Sequence, residues 1–402
     1  MIVKSIVGLF MTLGLAVLIA KESVQPAVRH FPPEKLQTGA ERLNAYLPKL
    51  KGKKVGLTIN HTAIVGETHL LDTLLRLGVD VRRVFVPEHG LRGTADAGEK
   101  IQDGKDPQTG VAMASLYGNR RKPAPADLAD LDLMIFDIQD VGVRFYTYIS
   151  TLHYVMEACA EQGLPLMVLD RPNPNGHFVD GPILDTAYRS FVGMHPVPVV
   201  HGMTVGEYAQ MVNGEGWLKG GVTCKLEVVK CSEYTHQTPY VLPRKPSPNL
   251  PNMRAIYLYP SICYFEGTQV SVGRGTDKQF QVLGTPGFPI GDYTFTPEPK
   301  EGAMQPFLQG KPCRGYDLTS LDPEEIRGWG KIHLDYLIHF YQNYPEKDSF
   351  FLKGMFIDKL AGGASLRTQL VQGWNEDKIR ASWEPALSQY KVKRKQYLLY
   401  KD

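Results

Sequence analysis

The sequence lacks the motifs of the common nucleotide sites and of serine hydrolases. No GxGxxG follows the first strand pattern, and GxxxxGK[ST] occurs nowhere, so neither a dinucleotide site nor a P-loop is indicated. The GxSxG nucleophile elbow is missing as well. We therefore expect no cofactor, and carboxylates and histidines are the residues left for chemistry.

The chain also has little net charge and few cysteines. Its 45 Lys and Arg nearly balance 42 Asp and Glu, which gives a formal net charge of +3 and no indication of a nucleic-acid partner. Five scattered cysteines show no CxxC spacing, so we predict no metal. Cys224 and Cys231 could pair in an oxidising compartment, but buried thiols are the simpler interpretation.

An apolar run marks the N-terminus. Lys4 precedes apolar or small residues from Ile6 to Ala20, a pattern typical of a secretory signal peptide. The run is short for a membrane span, which needs roughly 20 apolar residues. An uncleaved anchor is an alternative, because Leu18 is large for a cleavage signal. We predict a signal peptide over 1–22 and an exported, periplasmic protein with no other stable membrane partner.

From Lys53 to about Pro174 strand and helix patterns alternate. The strand patterns are KKVGLTIN, VRRVFVP, LDLMIFDI and LPLMVLD, and the helix patterns are THLLDTLLRLG and YTYISTLHYVMEACAEQG. This alternation predicts a Rossmann-like α/β domain with a largely parallel sheet over 23–245. The proline-rich tract PRKPSPNLP indicates the join to a smaller C-terminal domain over 246–402.

Polar side chains follow each of the four strand patterns. They are Asn60 and His61, Glu88 and His89, the run from Asp137 to Asp140, and Asp170 with Arg171. Open α/β sheets bind ligands outside the carboxyl ends of their strands. One such carboxylate is often only a cap or turn acceptor, but four ends in succession predict a polar cleft.

Two further clusters offer groups for a ligand. DIQDVGVRFYTYIS contributes Arg144, Tyr146 and Tyr148, although the same residues would suit a helix start with aromatic core packing. YFEGTQVSVGRGT contributes Glu266, Arg274 and Thr276, and the alternative there is a surface hairpin with a salt bridge. An arginine can bind a ligand carboxylate through two parallel hydrogen bonds.

Six motifs occur in one order: VPEHGLRG, DIQDVGVRFYTYI, LDRPNPNG, HGMTVGEYAQMVN, SPNLP and CYFEGTQVSVGRGT. With them the chain, from about Lys53 onward, resembles the NamZ-type exo-β-N-acetylmuramidases. The resemblance implies a hydrolase that releases non-reducing-terminal N-acetylmuramic acid from peptidoglycan fragments. It also implies a Rossmann-like domain, a smaller α+β domain and an active-site cleft between them. Asp180 in FVDGP departs from the expected Glu, which leaves the role of that position open.

Glycoside cleavage commonly uses a carboxylic acid and a second carboxylate. We predict Glu88 as the general acid, while Asp137 and Glu266 compete for the second role. The predicted substrate ligands are His89, Asn60, His61, Asp140, Arg144, Tyr146, Tyr148, Asp170, Arg274, Thr276 and His201. Arg144 or Arg274 would hold the lactyl carboxylate of muramic acid.

Two other functions compete with a muramidase. A carbohydrate-binding or peptidoglycan-binding protein with a dead site would keep the aromatic residues and arginines without needing Glu88. A metal-dependent amidase or esterase would use His61, Glu88, His89 and His201. Turnover of a muramic acid glycoside separates the binder from the enzyme, and insensitivity to chelators argues against the metal enzyme.

Overall fold

The computed structural model describes residues 35–88, 90–92, 103–118 and 120–402. The strands in this part of the chain are β1 (Lys54–Ile59), β2 (Ile64–Val65), β3 (Thr68–His69), β4 (Asp80–Val86), β5 (Gly104–Lys105), β6 (Ala112–Ser115), β7 (Leu133–Asp137), β8 (Leu166–Leu169), β9 (Leu226–Val229), β10 (Val282–Thr285), β11 (Tyr293–Phe295) and β12 (Cys313–Asp317). The α-helices are α1 (Leu43–Leu50), α2 (Leu70–Arg76), α3 (Pro125–Leu128), α4 (Tyr148–Glu161), α5 (Val205–Gly214), α6 (Met253–Ile262), α7 (Pro323–Gly328), α8 (Asp335–Asn343), α9 (Phe356–Ala361), α10 (Ser365–Val371) and α11 (Glu376–Arg394).

Seven strands form one sheet in the order β5-β6-β4-β1-β7-β8-β9. All neighbouring strands are parallel except β5 and β6, so the prediction of a largely parallel sheet is confirmed. Without β5, the six parallel strands have the Rossmann order 3-2-1-4-5-6 when they are numbered along the chain. The order reverses between β1 and β7, and such a reversal opens a crevice at the carboxyl ends of the strands.

The central strands are buried because both faces of the sheet are covered. Along β7, Met134 and Phe136 pack in the core that contains α4 and α5, while Leu133 and Ile135 pack with α1 and α2. Side chains of a strand alternate between its faces, so a run of apolar residues without polar alternation is what a doubly covered sheet requires. This is the physical reason that LDLMIFDI reads as a strand.

Two of the parallel strands were not predicted. β6, with the residues AMAS, and β9, with LEVV, are four residues long and lie toward the two edges of the sheet. Their short and weakly apolar segments give little periodic signal. β6 matters for the site, because its pairing of Ser115 with Val86 brings the loop after β6 beside the end of β4.

The smaller domain contains an antiparallel sheet in the order β10-β12-β11 together with the helices from α6 onward. The tract from 243 to 251 contains neither helix nor strand, and α6 begins after Asn252, whose side chain accepts from the Ala255 amide. The fold class is therefore confirmed. The domain boundaries at 22/23 and 245/246 stay predictions.

The last helix returns to the first domain. Arg380 on α11 donates to Asp180 at 2.9 Å, and the Ile332 amide donates to the same carboxylate at 2.7 Å. Further along, the Tyr400 hydroxyl donates to Asp170 at 2.7 Å. Asp180, the departure from the family pattern, thus ties two distant segments together.

Two further predictions concern disulfide pairing and membrane-spanning helices. All five cysteines are buried thiols, Cys224 and Cys231 included. Within the described ranges, none of the helices combines the length and the apolar character that crossing a bilayer requires. The predicted signal peptide over 1–22 lies outside the described residues.

Candidate active site

A cavity of about 480 Å³ is lined by residues that precede the predicted boundary at 245/246 in the sequence and by residues that follow it. This volume is within the usual range for small-molecule sites, roughly 300–1,000 Å³. Its lining residues are Glu88, Tyr117, Arg121, Phe145, Tyr146, Thr147, Tyr148, Ser190, Phe191, Val192, Ser247, Asn249, Leu250, Tyr259, Glu266, Arg274, Phe280, Phe356 and Lys359. Both carboxylates of this set, Glu88 and Glu266, were predicted as catalytic.

Glu88 stands at the carboxyl end of β4. Val84, Phe85 and Val86 are buried in the sheet, and the half-buried Glu88 is the second residue after the strand ends. The loop after the neighbouring β6 supplies Tyr117, whose hydroxyl donates to Glu88 Oε1 at 2.8 Å. One oxygen of the carboxylate is therefore fixed by a side chain from the adjacent strand.

Three tyrosines form a row along the cavity. The rings of Tyr148 and Tyr146 meet edge to face with centroids 4.9 Å apart, and Tyr146 meets Tyr259 in the same way at 6.1 Å. Tyr146 is anchored through its hydroxyl, which donates to the Pro246 carbonyl at 2.8 Å. Burial raises the pKa of Tyr148, and the nearby charge of Glu88 adds to the effect. Burial likewise raises the pKa of Tyr259, and the nearby Cys263 and Glu266 add to the effect.

Glu266 is held by an arginine from a glycine-rich turn. Arg274 Nε donates to Glu266 Oε1 at 2.7 Å, and the guanidinium lies 5.1 Å from the centroid of the Phe280 ring. Gly273 and Gly275 flank Arg274 with φ of +80° and +79°, angles that side-chain-bearing residues rarely adopt. The glycines of VSVGRGT therefore set the backbone that points Arg274 at Glu266.

The other predicted carboxylates lie outside the cavity. Asp137 is fully buried, and Arg171 donates to both of its oxygens. Asp140 accepts the Gly142 amide at 2.6 Å, and burial raises its pKa to about 7. Asp170 accepts from Thr204 and from Tyr400, each at 2.7 Å, and burial raises its pKa to about 6. The carboxylate at the end of β7 is thus used in an internal ion pair, and neither Asp137 nor Arg171 lines the cavity.

Three more predicted ligands are engaged in contacts within the protein. Asn60 is buried and its side-chain oxygen accepts from Thr62 at 2.6 and 2.9 Å. His61 Nε2 is 2.8 Å from the Lys245 carbonyl oxygen. Arg144 is fully buried and donates to the carbonyls of Pro182, Val197 and Leu360 at 2.6–2.9 Å. The arginine of the VRFYTY motif therefore stabilises loops rather than lining the cavity.

The remaining predicted ligands are His201, Thr276 and His89. His201 is buried next to Tyr208, and burial lowers its pKa to about 3, so its ring is neutral. Thr276 lines a neighbouring cavity of about 450 Å³ and donates to the Gly273 carbonyl at 2.7 Å. His89 lies outside the described residues. In the described ranges no three His, Cys, Asp or Glu side chains converge as a metal site would require.

The cavity also contains residues that no sequence pattern had indicated. Tyr117 and Arg121 follow a strand that was too short to detect, and Phe191 and Lys359 lie in loops or helices far along the chain. Asn249 is a partial exception, because it belongs to the SPNLP motif of the family resemblance. No local signal exists for the others, since only the fold brings them to the cavity.

Comparisons with known proteins agree with this architecture. The family model for the N-terminal part of the exo-β-N-acetylmuramidase NamZ matches residues 55–254, and the model for the C-terminal part matches 257–400. The peptidoglycan β-N-acetylmuramidase NamZ of Bacillus subtilis (strain 168) is 38% identical over 394 residues, which is 91% of this chain and 92% of that protein.

Two crystal structures of DUF1343 family proteins from Bacteroides fragilis NCTC 9343 share the fold. One is 49% identical with a TM-score of 0.85 and covers 92% of this chain and 99% of its own. The other is 28% identical with a TM-score of 0.79, at 92% and 100% coverage. The matches extend over nearly the whole described chain, including both walls of the cavity. The chain therefore belongs to the NamZ family of exo-β-N-acetylmuramidases, which are glycosidases.

Proposed function

We propose that the protein removes non-reducing-terminal N-acetylmuramic acid from peptidoglycan fragments, and that the cavity lined by Glu88 and Glu266 is its active site. The observation that carries the proposal is the Glu88 carboxylate at the end of β4, fixed by Tyr117 and facing an aromatic cavity. Membership in the family and the name of the Bacillus subtilis relative support the substrate class.

Glu88 acts as the general acid in this proposal. Cleavage breaks the bond between the anomeric carbon and the glycosidic oxygen, and the leaving oxygen takes a proton as that bond breaks. Glu88 supplies this proton in the proposal, with Oε1 of its carboxyl group accepting from Tyr117. Water then supplies the hydroxyl group of the released sugar.

Glu266 is the second carboxylate that the described cavity offers. Arg274 balances its charge and donates to Oε1, while the Cys263 thiol lies 3.5 Å from Oε2. An ionised carboxylate in this position stabilises the positive charge that develops on the sugar ring, or takes the proton from the attacking water. Tyr148, Tyr146 and Tyr259 line the same cavity and supply apolar surface for the sugar.

Export of the protein is part of the proposal. Lys4 and the apolar run up to Ala20 support a signal peptide, and a periplasmic location would place the enzyme where wall fragments arise. Cell fractionation and N-terminal sequencing of the recovered protein test this. Full activity in the cytosol with an intact N-terminus would contradict it.

The central experiment is Glu88→Gln on two substrates. The amide has the same shape but cannot give up a proton, so turnover of a muramic acid–glucosamine disaccharide should fall by roughly 10²–10⁴-fold. A 4-nitrophenyl muramic acid glycoside has a leaving group that needs little protonation, and the variant should lose far less on it. Glu384→Gln, an exposed glutamate on α11, is the matched control and should keep normal rates.

The outcomes separate the candidate functions. If Glu88→Gln cleaves the disaccharide at a near-normal rate, Glu88 is not the acid and Glu266→Gln becomes the next variant to measure. If the unmodified protein binds the disaccharide without cleaving it, the protein is a carbohydrate-binding member of the family. Loss of activity with a chelator would favour the metal-dependent alternative.

A further inference from the structure

Three cations line the cavity, and they differ in whether their charge is already balanced. Arg274 donates to Glu266 at 2.7 Å, so its charge is neutralised within the protein. Arg121 and Lys359 have no carboxylate within ion-pair distance in the part of the chain that the structure describes. A substrate carboxylate binds best to a cation that it does not have to share. The choice is therefore between Arg121 and Lys359.

Arg121 differs from Lys359 in having an aromatic ring beneath its charged group. Its guanidinium carbon lies 4.2 Å from the centroid of the Phe191 ring, a cation–π contact that leaves the N–H groups available for a polar partner. Phe191 is itself fixed, because its carbonyl accepts from Ser150 at 2.7 Å and its ring stacks on Tyr154. Both side chains are exposed, but the planar fork of Arg121 lies over the Phe191 ring and matches a carboxylate, whereas Lys359 is a point charge on a flexible stem.

Arg121 also lies on the side of the proposed acid. It is four residues after Tyr117, which donates to Glu88 Oε1, and both residues follow β6. In muramic acid the lactyl group is attached to O3, two ring carbons away from the anomeric carbon. Glu88 and Arg121 line the same cavity, so a sugar with its glycosidic oxygen at Glu88 carries its lactyl carboxylate into the space that Arg121 also lines.

We propose that Arg121, held by Phe191, binds the lactyl carboxylate and is the residue by which this site distinguishes muramic acid from uncharged hexosamines. The inference rests on the proposed function. It replaces Arg144, which is fully buried with its two terminal nitrogens donating to three carbonyls, and Arg274, whose partner is Glu266.

The test varies the substrate charge and the cation together. The substrates are the 4-nitrophenyl glycoside of N-acetylmuramic acid and its lactyl N-methyl amide, which has nearly the same shape but no charge. The unmodified protein should favour the acid over the amide in kcat/KM by roughly 10–100-fold, the range expected for a charge-assisted contact. Arg121→Gln should lose activity on the acid by that factor, keep its activity on the amide, and so bring the ratio near one.

Lys359→Gln is the matched control and should keep the acid-over-amide preference. Arg121→Lys should restore part of it, because the charge returns without the fork. Retained activity on the amide shows that each variant is folded. If Arg121→Gln keeps the preference of the unmodified protein, or if the unmodified protein has no preference, the inference is wrong. If the unmodified protein cleaves neither glycoside, it is the proposed function that fails.

Discussion

Asp140→Asn tests whether a predicted substrate ligand is instead a buried structural acid. Oδ2 of Asp140 accepts the Gly142 amide at 2.6 Å, while Oδ1 has no hydrogen-bond partner in the described structure. Burial raises the pKa of this carboxyl from 3.8 to about 7, and the amides of Gly142 and Val141 only partly oppose the shift. Since Asp140 does not line the cavity, we expect the variant to keep its turnover.

The effect on stability has a defined sign. Between pH 4 and 7 the unfolded chain releases the Asp140 proton while the folded chain retains it, so the free energy of unfolding falls as the pH rises. One pKa unit corresponds to about 1.4 kcal/mol, so the penalty is roughly 1.5 kcal/mol at pH 5 and on the order of 4 kcal/mol at pH 8. An asparagine does not titrate, and it removes this pH-dependent part.

Urea denaturation at several pH values measures the difference between the variant and the unmodified protein. The buried amide adds a constant of its own, so the diagnostic quantity is the change with pH, which should favour Asp140→Asn by about 2–3 kcal/mol more at pH 8 than at pH 5. Asp130→Asn, at an exposed position, should show no such change. A difference that does not vary with pH would refute the reasoning, and a loss of activity would return Asp140 to the substrate site.

Three further predictions follow from single contacts. Tyr117→Phe removes the donor to Glu88 and should lower kcat on the disaccharide by roughly 10-fold with little change in KM; steady-state kinetics check this, and an unchanged kcat would contradict it. Arg171→Met leaves Asp137 buried without its cation and should cost about 3–5 kcal/mol of stability, seen as a lower thermal midpoint; an unchanged midpoint would show that Asp137 takes up a proton without penalty. Asp180→Asn weakens the contact with α11 and should increase proteolysis of the C-terminal helix, whereas equal proteolysis would mean that the rest of the interface suffices.

The sequence identified the parts of the fold that have strong periodicity. LDLMIFDI and LPLMVLD became β7 and β8, and the helix pattern between them became α4, over Tyr148–Glu161.

Some of the predicted site residues line the cavity, and others are buried against partners within the protein. Glu88, Glu266, Arg274 and the tyrosines line the cavity, but Asp137 and Arg144 are satisfied inside the protein. A carboxylate or arginine beside an apolar run looks the same in sequence whether it meets a ligand or an internal partner. The partners of Asp137 and Arg144 are 34 and up to 216 residues away, so no local pattern reveals them.

The sequence by itself determined that the chain alternates strands and helices, that its strands end in polar residues, and that its motifs match one family. Those properties are local, since they depend on the spacing of apolar residues and on which residue follows a strand. The tertiary structure decided which of the polar ends meet at one cavity. Pairing of β4 with β6 brings Tyr117 to Glu88 and Arg121 to the same wall, and no spacing in the sequence encodes that neighbourhood.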